Sequence, residues 1–176
     1  SDSILIGQKT FNDDNPKLDS RIEGIKKKIK IFSINQQLKI NPQVLKNPCL
    51  RNSHIFHNCK DRERVRKLGK LFKLIRFDFN EDEVCHRILK IIYKLNCKKI
   101  LIEGGIHTLE SFLKAKLINE LYVVKNKHFF KKHGLLNARR FINSLKIKPN
   151  EIISLEENTI LKYKPKYVYR DNTKYS

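Results

Sequence analysis

KKILIEGGIHTLESFLKAKLINELYVV, Lys98 to Val124, is the stretch that decides how this chain folds. It reads as strand, glycine turn, helix, strand. Ile100, Leu101 and Ile102 form a continuous apolar run, the pattern of a strand buried on both faces. Glu103 closes that run. Gly104 and Gly105 let the backbone turn at small steric cost and approach a ligand closely. A helix is expected from His107 or Thr108, because Leu109, Phe112, Leu113 and Leu117 recur at helical spacing. Main-chain N–H groups at a helix start are unpaired and attract anions, phosphates above all. The segment therefore predicts a phosphate cradle with a carboxylate beside it.

Working outward, the same alternation repeats. Ser3 to Ile6 reads as a strand ending at Gly7, followed by the polar loop QKTFNDDNPKLDSRI. Pro16 favours an extended residue before it. Lys28 to Ile34, Ser53 to His57 and Leu71 to Phe77 are further strands, with a short basic helix at Asp61 to Lys67. Glu81 to Leu95 is the clearest helix. Val84, Ile88, Ile91, Ile92 and Leu95 share one stripe, and Asp82 and Glu83 are expected in its first turn, where the helix dipole favours acids. Leu135 to Leu145 reads as a helix. Glu151 to Leu155 and Thr159 to Tyr163 read as closing strands, with antiparallel pairing the expectation. Alternating strands and helices predict an α/β domain around a mostly parallel sheet. The domain is expected to span 1–164, with 165–176 a polar tail.

Composition narrows the function. The 176 residues suffice for one domain with a real core, and 40% are hydrophobic. No apolar run is long enough to cross a membrane, and no signal-peptide pattern opens the chain, so a cytoplasmic protein without a membrane partner is expected. Methionine is absent even at position 1, which predicts a processed chain or a piece of a longer one. The formal net charge is +20. Basic residues are spread along the chain, with no Arg-rich arm and no aromatic-interleaved stripe, so nucleic acid is the weaker reading. A positive field would instead collect phosphorylated small molecules. Cys49, Cys59, Cys85 and Cys97 form no C-x-x-C pair and are expected as thiols. Cys49, His54, His57 and Cys59 lie close in sequence, yet their spacing matches no common zinc module, and no metal is expected.

Two separated motifs resemble one family. SDSILIGQKTFNDDNPKLDSR resembles the "SDAILVG…T…DDP.LT.R" signature of the reductase domain of the riboflavin-biosynthesis deaminase/reductase. IEGGIHTLESFLKAKLINELYVV resembles that family's "VEGG…L…FL…LVDEL" segment, and the likeness runs to about Tyr163. The resemblance implies a dihydrofolate-reductase-like fold with flanking helices and an antiparallel C-terminal edge, a homodimer, and NADPH as hydride donor. It implies 5-amino-6-(5-phosphoribosylamino)uracil as the phosphorylated pyrimidine substrate, and a zinc deaminase domain fused to the chain or paired with it. A related reductase acting on another pterin or pyrimidine, and a basic nucleic-acid-binding α/β domain, are the alternatives.

The resemblance carries over residue by residue. Thr10, Asp14 and Gln36 match positions at the nicotinamide cofactor, and Gly105, Ile106, His107, Thr108, Leu109, Glu110 and Ser111 match the cofactor-phosphate loop. Leu18, Arg21 and Glu103 match substrate-binding positions. The planar fork of Arg21 suits a pair of phosphate oxygens, and Glu103 can accept hydrogen bonds from pyrimidine N–H groups. No catalytic acid or base is assigned, and His107 reads as a helix-start residue. Taken alone, Glu103 reads more readily as a strand-end cap and Arg21 as a solvated cation, and Asp13-Asp14 can be a plain turn.

Departures from the family are mild and polar. Its second Asp is Asn15 here, an acid at the end of its second strand is Asn35, the following small hydroxyl residue is Gln36, and a frequent Asp is Asn119. The family's domain also carries a first strand, a Lys and "SLDG" ahead of "SDAILVG". The resemblance thus implies that this chain lacks its N-terminal strand, and its H-x-E and P-C-x-x-C deaminase motif is absent too.

Overall fold

The computed structural model describes residues 1–15, 29–80, 83–103, 105–126 and 148–165. The chain forms two compact units, Ser1–Ala115 and Lys116–Ser176.

In the first unit, strand and helix alternate from β1 (Ser3–Gly7) through α1 (Gln8–Asp13), β2 (Lys30–Ile34), α2 (Pro42–Lys46), β3 (His54–His57), α3 (Arg62–Leu68), β4 (Lys73–Arg76), α4 (Val84–Lys94), β5 (Ile100–Glu103) and α5 (Ile106–Lys114). The strands pair in parallel in the order β4-β3-β2-β1-β5. This is the mostly parallel sheet that the alternation predicts.

Side-chain alternation builds a layer on each side of the sheet. Ile4, Ile6, Ile31 and Ile55 join Phe11 of α1, Val44 of α2 and Leu68 of α3 in one buried cluster. Leu5, Phe32 and Phe56 have the opposite parity and are fully buried. On their side Phe77 meets Phe56 edge-on at 5.7 Å, and the Arg87 guanidinium of α4 lies over the Phe77 ring at 4.8 Å. Local signals hold the helices in place. The Asp61 carboxylate accepts from the Arg64 N–H at the start of α3, a cap that contributes about 1 kcal/mol. Pro42 opens α2, where a missing N–H costs nothing.

Three expectations change. Gln8–Asp13, expected as the start of a polar loop, forms the helix α1, with Phe11 and Asn12 buried. β5 is an edge strand among the described residues, and Leu101 is 44% exposed, so the Ile100–Ile102 run is not buried on both faces. The helix read from Glu81 begins at Val84; Glu83 takes the cap position with φ +58, outside the first turn. The helix expected at Leu135 to Leu145 lies outside the described residues, as do Asp82 and Gly104.

The second unit contains β6 (Leu121–Asn126), β7 (Glu151–Ser154) and β8 (Asn158–Tyr163), paired antiparallel in the order β6-β8-β7. The closing strands thus pair as expected. No helix among the described residues is long and apolar enough to cross a membrane.

Candidate functional site

From β1 the chain steps outward through β2, β3 and β4, and α4 then carries it back to β5 on the other side of β1. The C-terminal ends of β1 and β5 therefore lie side by side where the winding reverses. In open parallel sheets a crevice opens at that point and ligands bind there.

Two glycines line this end, for different reasons. Gly7 ends β1 with φ −75 and ψ 163, ordinary extended backbone. What excludes a side chain is space, because a Cβ would lie 2.7 Å from Thr108 Oγ1. Gly105 follows β5 with φ +62, a conformation that L side chains rarely adopt. A Cβ there would meet only ordinary contacts, Thr108 Oγ1 at 3.6 Å and Thr10 Oγ1 at 3.8 Å. Two threonine hydroxyls, one from α1 and one from α5, thus converge over backbone that carries no side chain.

α5 begins at Ile106, earlier than the sequence spacing suggests, with Gly105 at its cap. Its first α-helical bond runs from the Leu109 N–H to the Gly105 carbonyl, at 3.2 Å. The amides of 106–108 precede that ladder and are donors for an external acceptor. With the Thr10 and Thr108 hydroxyls they form a group of donors suited to an anion. A dinucleotide's phosphates fit such a cradle, which a Cβ at Gly7 would crowd.

The other candidate residues are distributed around it. Glu103 is exposed at the end of β5, one strand over from Ile6. Asp14 is exposed at the end of α1, its N–H donating to the Thr10 carbonyl at 3.2 Å. Gln36 is exposed after β2, its carbonyl accepting from the Asn58 N–H at 3.0 Å. His107 points into solvent, with Nδ1 3.9 Å from Glu110 Oε2. Ser111 donates its hydroxyl to the His107 carbonyl at 2.9 Å, turning back onto its own helix. Leu109 is half-buried. Leu18 and Arg21 lie outside the described residues. Among the described residues no three His, Cys, Asp or Glu side chains gather as metal ligands.

Three residues that the sequence reading left without a role shape the site. Gly7 is one. The others are Asn12 and Asn35, both buried. Asn12 Nδ2 and Asn35 Nδ2 both donate to the Lys39 carbonyl, at 2.8 and 2.9 Å. Asn35 Oδ1 accepts the Lys39 N–H at 3.1 Å, and Asn12 Oδ1 accepts the Asn41 N–H at 3.0 Å. This ring fixes α1, which carries Thr10, against the loop after β2. It also holds Leu38 buried at φ +53, a strained conformation for a branched side chain. A carboxylate at position 35 would accept from Lys39 but donate nothing to its carbonyl. The amide of Asn35 thus has a structural reason.

The family model of the RibD C-terminal domain matches residues 1–168. No curated protein matches the chain. Among solved structures, the pyrimidine reductase-like protein of Corynebacterium diphtheriae aligns with TM-score 0.68 at 14% identity, over 93% of this chain and 75% of that one. The diaminohydroxyphosphoribosylaminopyrimidine deaminase/5-amino-6-(5-phosphoribosylamino)uracil reductase of Thermotoga maritima aligns with TM-score 0.65 at 15% identity, over 93% and 45%. RibD of Acinetobacter baumannii, in one crystal form, aligns with TM-score 0.63 at 18% identity, over 95% and 47%. The chain spans about half the length of the Thermotoga and Acinetobacter proteins. These likenesses establish the fold, and the family model, covering all but the last few residues, establishes the family: the chain belongs to the RibD C-terminal domain family.

Proposed function

We propose that this chain is an NADPH-dependent reductase of riboflavin biosynthesis. It reduces the ribosyl group of 5-amino-6-(5-phosphoribosylamino)uracil to a ribityl group in the cytoplasm. The observation that carries the reading is the pair Gly7 and Gly105 under the Thr10 and Thr108 hydroxyls, at the winding reversal of a chain in this family. NADPH, when bound, supplies a hydride for the imine carbon of the ring-opened sugar.

The chain's own residues bind and orient. The amides of 106–108 and the hydroxyls of Thr10 and Thr108 donate to the cofactor's phosphate oxygens, and the dipole of α5 adds to that attraction. Asp14, Gln36 and the remaining residues to Ser111 border the same ligand. Glu103 accepts from the pyrimidine N–H groups. Arg21 pairs with the substrate phosphate, and Leu18 is a second residue that binds the substrate. A net charge of +20 draws both anionic ligands toward the protein. A zinc deaminase, fused or separate, supplies the deaminated pyrimidine.

The test is NADPH consumption with 5-amino-6-(5-phosphoribosylamino)uracil. Oxidation of NADPH that depends on this substrate supports the assignment. NADPH binding without turnover of any phosphorylated pyrimidine would overturn it.

A further inference from the structure

Basic residues are spread along the chain, yet the fold concentrates one group of them. The segment 60–76, KDRERVRKLGKLFKLIR, carries eight Lys and Arg against two acids, a net +6 in 17 residues where the chain's mean of +20 in 176 would give about +2. It contains α3 and β4. Both acids are already engaged. Asp61 Oδ2 lies 3.5 Å from Arg64 Nη2, and Glu63 Oε1 lies 2.7 Å from Lys67 Nζ. Arg64 also donates from Nη1 to the Gln37 carbonyl at 3.1 Å. Arg62, Arg66, Lys70 and Lys73 are exposed and have no ion-pair partner among the described residues.

Helix geometry gathers these cations. Val65 and Leu68 turn α3 onto the core. Arg62 and Arg66 lie one turn apart on the side away from Leu68, and Lys70 continues that spacing one residue past the Gly69 cap. The end of α3 lies against β4, since a Cβ at Gly69 would be 3.9 Å from Leu74 Cδ1. β4 is an edge strand among the described residues and adds Lys73 and Arg76. This arrangement works against α3 itself. Like charges four residues apart repel, and a cation in the first turn opposes the helix dipole. A local rule broken without a gain in stability marks a functional surface.

Charge complementarity identifies the occupant. A row of unpaired cations on an exposed helix, beside a basic strand edge, fits a dense polyanion. Phe72, the one aromatic residue of the segment, is buried, so the segment offers no ring on which an unpaired base could stack. We propose that α3 and the edge of β4 dock on the phosphate backbone of double-stranded nucleic acid, without reading its bases. Each cation that meets a phosphate there releases a condensed counterion, which drives the association. β4 and β5 are opposite edges of the five-stranded sheet. The face uses none of the residues around Gly7 and Gly105, and its test needs no cofactor or substrate, so it fails or stands apart from the reductase reading.

The experiment is fluorescence anisotropy of a labelled, mixed-sequence DNA duplex at several salt concentrations. It is titrated with the wild-type chain, with Arg62→Ala/Arg66→Ala/Lys70→Ala, and with Lys131→Ala/Lys132→Ala/Arg140→Ala, which removes the same charge from another basic stretch. The wild type should bind. The α3 variant should bind about tenfold more weakly or worse, with a salt slope shallower by about three, close to one counterion per lost phosphate contact. The control should stay within about threefold of wild type. A wild type that does not bind, or equal losses in the two triple variants, would overturn the proposal. So would poly-glutamate bound more tightly than duplex, which would assign the face to an acidic protein. Alanine and glutamine both favour helix, so α3 should persist. If the triple variant loses its far-ultraviolet circular dichroism, Arg62→Gln and Arg66→Gln must each still weaken duplex binding and flatten the slope by about one. Binding of wild-type strength in both would refute the docking face.

Discussion

Strands β1 and β5 are hydrogen-bonded neighbours with similar sequences, SILIG and ILIE, yet they live in different surroundings. Every residue of β1 is buried, whereas β5 alternates between half-buried and exposed. The register pairs Leu5 with Ile102 and Ile4 with Leu101. What separates the two strands is their place in the sheet. β1 has partner strands on both edges and α1 packed against it, while β5 has one partner strand among the described residues. Burial of an apolar run is thus a property of its neighbours as much as of its composition. What the strands share is the end where they meet, and there each contributes a glycine.

The largest effect should separate the strands. Leu5→Ala removes a fully buried side chain and should cost about 2–5 kcal/mol in urea unfolding. Leu101→Ala makes the same chemical change on the neighbouring strand and should cost well under about 1 kcal/mol. Equal losses would mean that the two strands are equally covered and would erase the contrast.

A smaller effect, about 1–3 kcal/mol, is expected for Asn35→Leu. It leaves the Lys39 N–H without its side-chain partner and frees the left-handed Leu38 turn. Unfolding by urea checks the cost, and an unchanged midpoint would show that the Lys39 ring contributes little.

The two glycines sharpen the comparison at the strand ends. Gly105→Ala has room for its methyl group but must hold φ +62, so its penalty is conformational, about 1–2 kcal/mol. Gly7→Ala has an acceptable backbone but forces the Thr108 hydroxyl aside. Stability should therefore fall more for Gly105→Ala, and NADPH affinity more, relative to stability, for Gly7→Ala. Paired thermal melts and NADPH titrations separate the two. The same ranking in both measurements would remove the distinction.

The smallest effect concerns the interior strand β3. His54 and His57 are buried, and neither Nδ1 has a hydrogen-bond partner among the described residues. Burial first, then the charges of Lys73 and Lys30 at His54 and of Arg76 at His57, hold both imidazoles below their ordinary 6.5. The unfolded chain therefore binds protons before the folded one does. Their contribution to stability is complete above pH 6.5 and falls away as pH drops below it. His54→Phe keeps the stack on Phe32, 4.8 Å away in the native protein, and should flatten part of that decline in urea midpoints measured across the range. An identical profile would assign the acid sensitivity elsewhere.

Much of this fold was legible in the chain. The strands at Ser3, Ser53, Leu71 and Ile100 and the helices at Asp61 and Glu81 emerge within a few residues of their expected places, because apolar periodicity marks them. The antiparallel closing pair emerges as well. The edge position of β5 was not legible, since periodicity reports what a strand prefers and not how many partners it finds. At the site, the glycine pair before α5 announced itself through its motif. Gly7 did not, because its backbone is ordinary and its constraint comes from Thr108, about a hundred residues away. Asn12 read as a polar loop residue and Asn35 as a mild polar swap at the end of the second strand, and only the fold reveals that they share the Lys39 carbonyl.

The central claim is that the joined ends of β1 and β5 hold a dinucleotide's phosphates. Titration of NADPH into the wild-type chain, Gly7→Ala and Thr108→Val tests it most directly, with inorganic pyrophosphate as competitor. Binding should be saturable and displaced by pyrophosphate, with a loss of about tenfold or more in each folded variant. Wild-type affinity in both variants, or NADPH binding that pyrophosphate leaves untouched, would contradict it.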